Sequence, residues 1–324
     1  MRLARLVALA ALVLATSAAD AQTPPKIARV GFLGISTAVE GKDVAVLRQR
    51  LAELGYVEGR NLVFEYRSME GKPERVPALA RELVQLKVDV IATVGNEGTS
   101  AAKKATQTIP IVMVVSGDPV RMGFAASLAR PGGNITGLSN VAEGTSAKGV
   151  DLLKAALPQL TRAAVLYAAD AASNVIYWKE VESTARRLGV TARVYNVRSA
   201  ADIGRAFPAL VRDRAEALIV LPHAVTNSNQ AQIVRLAATH RLPAMYPYRS
   251  FAEQGGLLSY GPDRTDMYRR AATYIDRILK GARPAELPID QPTSFEFVVN
   301  AKTVKALGLT IPQSVLGRAD LVIQ

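Results

Sequence analysis

The chain has 324 residues, 49% of them hydrophobic and 21% charged, with no cysteine and a formal net charge of +12. At about twice a typical domain length this is enough for two cores. The lack of cysteine excludes disulfides, a lipid-attachment cysteine and thiol chemistry. The positive charge is spread along helical stretches (Arg48, Arg50, Lys103, Lys104, Arg186, Arg187) with no long basic run, so it reads as solvated helix faces, with attraction to anionic lipid or an acidic partner as the alternative.

The N-terminus has the pattern of an export signal. Arg2 and Arg5 precede an uncharged apolar run over 6–15, and Ala19-Asp20-Ala21 supplies a small-x-small cleavage site. The run is too short to span a bilayer, so 1–21 is expected to be removed. A membrane anchor or a buried N-terminal helix are the alternatives. A mature protein beginning at Gln22 would work in the periplasm, where ATP, NAD and genomic DNA are absent. No nucleic-acid partner and no cofactor are expected there.

Beyond the signal, short β-branched runs alternate with helical periodicity. Residues 29–33 read as a strand, followed by a helix with Val44, Leu47, Leu51 and Leu54 on one face and Gly55 as its stop. A strand over 62–66 precedes a second helix marked by Val76, Leu79, Leu83 and Leu86. A buried strand over 88–94, a helix over 99–106 and a strand over 109–115 complete the first series. The second series runs through a strand at 163–167 and a helix with Tyr177, Val181, Ala185 and Leu188 on one face. It continues with a strand at 192–197, a helix at 202–212, a strand at 217–221, a helix at 229–238 and a strand at 243–246. The Pro-rich stretch 284–292 reads as an extended crossing. Strands separated by helices indicate βαβ units, and the two series predict an α/β protein of two doubly wound, parallel-sheet lobes with a ligand cleft between them.

Catalytic motifs are missing. The two histidines, His223 and His240, are isolated. The sequence has no nucleophile elbow, no phosphate loop and no paired-histidine metal motif. Neither a catalytic nor a metal site is expected. A Ser/Lys or two-carboxylate hydrolase stays open, with no spacing in its favour. Ligands of open α/β sheets bind beyond the carboxyl ends of strands, and five such ends are rich in glycine, hydroxyl and amide residues. They nominate Ser36 and Thr37; Gly95, Asn96, Thr99 and Ser100; Ser116, Gly117 and Asp118; Asn174; and His223 with the polar run that follows it. A helix opening at Thr99 and Ser100 would offer free N–H groups to a carboxylate. Asp118 would meet an ammonium or hydroxyl. The same residue types also suit plain capping and tight turns. Tyr246, Tyr248 and Tyr260 could wall a cleft. Tyr167, Tyr177 and Tyr274 fit core stripes, and Trp178 falls off its helix's apolar face, which places it in solvent or on the cleft rim.

At these positions a family pattern emerges. Leu54-Gly-Tyr-Val-Glu-Gly-Arg-Asn61, Val115-Ser-Gly-Asp-Pro-Val120 and Ser127-Leu-Ala-Arg-Pro-Gly-Gly-Asn-Ile-Thr-Gly137 resemble the ABC-transporter substrate-binding family that includes tryptophan/tyrosine-binding proteins. Ser259-Tyr-Gly-Pro-Asp263, Ala306-Leu-Gly-Leu-Thr-Ile-Pro312 and Arg318-Ala-Asp-Leu-Val-Ile323 fit it too. The resemblance implies a type I periplasmic-binding fold with three crossings between its lobes, and with it boundaries at 27–139 plus 262–288 and at 140–261 plus 289–324. It also implies a small-molecule ligand, partner permease and ATPase subunits, and a monomeric receptor without enzymatic activity. Its leading ligands are amino acids, aromatic ones included. An exported hydrolase, or a sensing module for a membrane receptor, are the alternative functions. One departure stands out. Members of the family often carry Gly-Thr-Pro-Ala-Ala where this chain has Gly95-Asn96-Glu97-Gly98-Thr99. Glu97 either complements the helix dipole or, if it faces the cleft, disfavours a purely anionic ligand.

Overall fold

A computed structural model describes residues 27–35, 37–70, 72–140, 144–169 and 172–324; the expected signal segment lies outside them. The first sheet is wholly parallel, in the order β2-β1-β3-β4-β5. Its strands are β1 (Ala28–Gly34), β2 (Leu62–Ser68), β3 (Val90–Val94), β4 (Ile111–Ser116) and β5 (Ile135–Ser139). Helices α1 (Thr37–Glu53), α2 (Val76–Gln85) and α3 (Gly95–Ala105) connect them. Every residue of β3, β4 and β5 is buried, the continuous burial expected of parallel strands covered on both faces. Phe32 on β1 is fully buried and stacks on Tyr66 with ring centroids 5.5 Å apart. Side chains of this kind stabilise the fold by roughly 1.5–3 kcal/mol each through burial.

The second sheet has the order β12-β11-β10-β9-β8-β6-β7. Its strands are β6 (Arg162–Tyr167), β7 (Thr191–Asn196), β8 (Ala217–Val220), β9 (Ala244–Tyr246), β10 (Leu258–Pro262), β11 (Phe295–Asn300) and β12 (Leu321–Ile323). The helices between them are α4 (Thr145–Ala156), α5 (Ala172–Arg187), α6 (Ala200–Arg212), α7 (Ala224–Ser228), α8 (Gln230–Thr239) and α9 (Arg249–Glu253). This sheet is parallel except that β11 runs antiparallel to β10. It separates two apolar layers. One is built on Val150, Val181, Met245 and Val299. The other is built on Phe207, Ile233, Tyr246 and Phe251.

Helix α10 (Arg264–Leu279) follows β10 in sequence but packs elsewhere. Its buried face, Met267, Tyr268, Ala271 and Ile275, belongs to the core of the first sheet. Leu287 and Ile289 join the same core, and Thr136 donates to the Leu287 carbonyl at 2.7 Å. The chain then re-enters the second sheet at β11, and α11 (Ala301–Leu307) and α12 (Gln313–Leu316) complete it. The backbone therefore passes between the sheets three times: after β5, after β10 and before β11.

Two local expectations change. Helix α3 begins at Gly95, directly off β3, not at Thr99. Gly95 has φ +78°, a value that glycine adopts without steric cost, so the strand turns into the helix with no loop. The polar run Gly95-Asn96-Glu97-Gly98, which reads as a loop, is the first helical turn. Trp178 is not free at a rim; it lies partly buried against the second sheet's core.

Candidate functional site

The carboxyl ends of β3 and β4 face those of β8 and β9 across a narrow cleft. On the first side, Gly95, Asn96 and Glu97 come from the opening turn of α3, and Ser116 and Gly117 from the end of β4. Asn140, just past β5, completes that wall. Tyr177 of α5, His223, Asn227 of α7 and Tyr248 form the other side, and Arg264 borders the same space. The polar cavity between these walls measures about 50 Å³. A second cavity of about 40 Å³ adjoins it, shares Asn140, Tyr177 and Tyr248, and is otherwise lined by residues such as Ile219, Met245 and Tyr260. The combined space has a polar end and an apolar end.

Hydrogen bonds set the positions of the polar side chains. Asn96 Oδ1 accepts from Ser116 Oγ at 3.0 Å and from the Gly117 N–H at 2.7 Å, tying α3 to the end of β4. His223 opens α7 as its N-cap: its Nδ1 accepts from the Val225 N–H at 3.3 Å, and its own N–H donates to Thr226 Oγ1 at 3.0 Å. With Nδ1 used as an acceptor, a neutral imidazole carries its proton on Nε2. That atom lies 3.3 Å from Glu97 Oε1 on the other side of the cleft. Burial works against the Glu97 charge, but the hydrogen bond from His223, the attraction between the carboxylate and that ring's charged form, and the residue's own backbone N–H more than offset it and hold the carboxyl below its usual range. Asn140 Nδ2 donates to Tyr248 Oη at 3.1 Å, a second bond from one wall to the other. Arg264 is committed: it pairs with Asp43 at 2.9 Å, donates to Tyr268 Oη at 3.1 Å, and lies 5.1 Å from the Tyr248 ring centre. Burial raises the Tyr177 phenol above its ordinary pKa, so it is neutral at physiological pH.

Seven of the residues nominated from the sequence line the polar cavity: Gly95, Asn96, Ser116, Gly117, His223, Asn227 from the run that follows it, and Tyr248. Tyr246 borders the apolar cavity, stacked on Phe251 at 4.9 Å. Others lie elsewhere. Thr99 is buried inside α3, its hydroxyl shared with Thr93 Oγ1 at 2.9 Å and donated to the Gly95 carbonyl. Ser100 faces a hollow beside Val76 and Lys104 on the flank of α3. Because α3 starts four residues earlier than the sequence suggested, both have moved past the helix end that was to make them ligand groups. Asp118 caps a turn by accepting from the Val120 and Arg121 N–H groups. Asn174 is fully buried and bridges the Ala168 N–H to the Pro222 carbonyl. Ser36 lies outside the described residues, as does the side chain of Thr37. Sequence reasoning missed Asn140, Tyr177 and Arg264, whereas Asn227 lies in the polar run after His223 that it had nominated. Tyr177 was masked by its helical stripe, which looked like core. Asn140 was masked because β5 (Ile135-Thr-Gly-Leu-Ser139) carries a glycine and two hydroxyl residues in place of a β-branched run. Among the described residues there is no group of three or more metal-ligating side chains and no helix long and apolar enough to cross a membrane.

Comparison with known proteins gives a consistent picture. A tyrosine-binding protein of Clostridioides difficile is 23% identical over 86% of this chain and 81% of its own length. A conserved domain protein of Vibrio cholerae superposes with a TM-score of 0.86 at 28% identity, over 92% of this chain and all of that one. An ABC domain from Streptococcus pneumonia, solved in complex with L-Trp, superposes with a TM-score of 0.85 at 26% identity, over 91% and 99% of the two chains. The fold is thus that of the type I periplasmic-binding proteins, two α/β lobes facing across a cleft. A family model described as ABC transporter substrate binding protein matches residues 35–323, and the chain belongs to that family.

Proposed function

We propose that this protein is the extracytoplasmic receptor of an ABC import system, that it captures a small polar solute of amino-acid type, aromatic ones included, and that it delivers the solute to a membrane permease driven by an ATPase. The observation that carries this reading is the cleft itself. Its two walls come from different sheets, joined by polar contacts such as Glu97 with His223 and Asn140 with Tyr248. A solute that touches both walls makes closure favourable because only the closed form offers it both sets of contacts. The tyrosine-binding relative and the L-Trp complex support an amino acid as the solute, and the apolar cavity beside Tyr248 suits its side chain.

On this reading the moving bodies are 27–139 plus 262–288 and 140–261 plus 289–324, and the ligand contacts are drawn from Asn96, Ser116, Gly117, His223 and their neighbours on the cleft walls. The protein makes and breaks no covalent bond in its solute, acts as a monomer, and reaches the periplasm through removal of 1–21. A thermal-shift screen over amino acids, aromatic acids and small amides tests the reading, followed by mass spectrometry of the recovered solute. A solute that stabilises the protein and returns with unchanged mass supports a receptor; a solute returned with altered mass points to the exported hydrolase instead.

A further inference from the structure

Acceptors without donors collect at the polar end of the cleft, where α3 faces α7. Glu97 lies in the first turn of α3, so its carboxylate already complements that helix terminus. His223 Nδ1 accepts from the Val225 N–H, so on the far wall Glu97 meets the single Nε2 nitrogen at 3.3 Å, and Glu97 is the acidic side chain among the described residues that line this cavity. Asn227 is only 8% exposed, and its Oδ1 has no hydrogen-bond partner. Asn140 Oδ1, on the opposite wall of the same cavity, is also buried and unpartnered. Buried acceptors of this kind cost stability unless something donates to them. Some nearby donors are already used: Ser116 Oγ and the Gly117 N–H go to Asn96, and Arg264 goes to Asp43 and Tyr268. The Tyr177 hydroxyl and the Asn96 amide also line this cavity, so neutral donors are present and Glu97 sets its charge preference.

We infer that Glu97, Asn227 and Asn140 form a subsite for the ammonium group of the solute, with Glu97 as the residue that sets charge specificity. The inference rests on the receptor reading above and narrows it to solutes that carry an amine. An ammonium supplies three donors and one positive charge, which matches two orphaned amide oxygens and one carboxylate. The polar cavity, about 50 Å³, has the scale of a head group and falls far below the several hundred Å³ of a whole-ligand pocket. The body of such a solute would extend past Tyr177 and Tyr248 toward the apolar cavity. A solute presenting a carboxylate to the opening turn of α3 would instead meet Glu97, a like charge in a partly desolvated setting, and would be rejected.

Matched probes test this on the full mature chain by calorimetric titration. L-tyrosine carries both charged groups, tyramine lacks the carboxylate, and 3-(4-hydroxyphenyl)propionate lacks the ammonium. L-leucine, isoamylamine and 4-methylpentanoate repeat the series without the ring. The expected result is that the amine-bearing members of at least one series bind tenfold or more tighter than the acid, the scale of one charge-assisted hydrogen bond. Glu97→Gln should shrink that margin to about threefold or less, and Asn227→Ala should weaken the amine selectively, with circular dichroism verifying the fold of each variant. The wild-type ranking stands as a test even if a variant fails to fold. An acid that binds as tightly as its amine, or a folded Glu97→Gln that keeps the full margin, overturns the inference. Failure of all six probes also overturns it. The receptor reading survives that outcome if a solute without an amine raises the melting temperature, and falls if no small solute does.

Discussion

Two side chains of α3 show how one helix turn divides structural from ligand-facing roles. Thr99 points into the lobe, where its hydroxyl bonds Thr93 and the Gly95 carbonyl. The near-isosteric Thr99→Val should therefore lower stability by about 1–2 kcal/mol through an unsatisfied buried hydroxyl on Thr93, seen as an earlier midpoint in denaturant melts. Solute affinity of the folded fraction should stay within twofold; a tenfold loss of affinity with unchanged stability would assign Thr99 to the ligand instead. Glu97 faces the opposite way. Its carboxyl ionises below the ordinary value of 4.5 in the folded protein. A depressed carboxyl pKa contributes stability that is complete above the unfolded value and is lost as pH falls through the folded one. The stability gap between wild type and Glu97→Gln should accordingly be widest near neutral pH and narrow below the carboxylate range. Thermal melts at neutral and acid pH compare the two directly, and a gap that grows on acidification would contradict the assignment.

At the scale of elements, β10 bears the tightest constraint near the cleft. A Cβ placed on Gly261 would lie 1.9 Å from the Pro247 carbonyl oxygen, a contact that no rotamer can relieve. Gly261→Ala must push β10 away from the segment that follows β9, and overpacking of this type costs about 1–3 kcal/mol. The expected readout is a lower midpoint in urea together with weaker solute binding, since the displaced segment carries Tyr248. A variant as stable as wild type would show that this backbone can yield. Helix α10 poses a different constraint. It is delivered by the second sheet but its buried face, with Tyr268 and Ile275, serves the first core. Tyr56 donates to Asp276 on that helix at 3.1 Å, across 220 positions of sequence. Such an exchange makes the two cores depend on one another's chain for completion.

At the scale of the molecule, the proposed mechanism is closure about the three crossings. The ion pair Lys42–Glu253, 3.6 Å long, joins α1 to α9, but Lys42 is 90% exposed and pairs of that kind contribute little. The buried polar contacts at the cleft matter more. A solute that binds only the closed form should stabilise the fold by RT ln(1 + [L]/Kd), about 2.7 kcal/mol at a hundredfold excess over Kd. Small-angle scattering should show a smaller radius of gyration at saturation. A tight solute that leaves the scattering curve unchanged would rule out closure as the response.

The alternation of β-branched runs with helical periodicity was enough to predict two α/β lobes, because strands and helices print their periods locally. Motifs such as Val115-Ser-Gly-Asp-Pro-Val120 were enough to suggest the family. Strand-end chemistry also brought Asn96, Ser116, Gly117 and His223 into view, since ligand loops in parallel sheets sit at a known end. Other features left no such trace. The short β5, the antiparallel β11 and the return of α10 to the first core are pairings between distant segments, and no local period records a partner. Whether Thr99 or Glu97 faced the cleft depended on where the helix began, which Gly95 decided by turning the chain at once. The meeting of Glu97 with His223, and of Asn140 with Asn227 and Tyr177 around one small cavity, exists only because two separate sheets present their carboxyl ends to each other. Composition and spacing identify the groups; tertiary packing alone brings them within reach and leaves some of their oxygens without a donor.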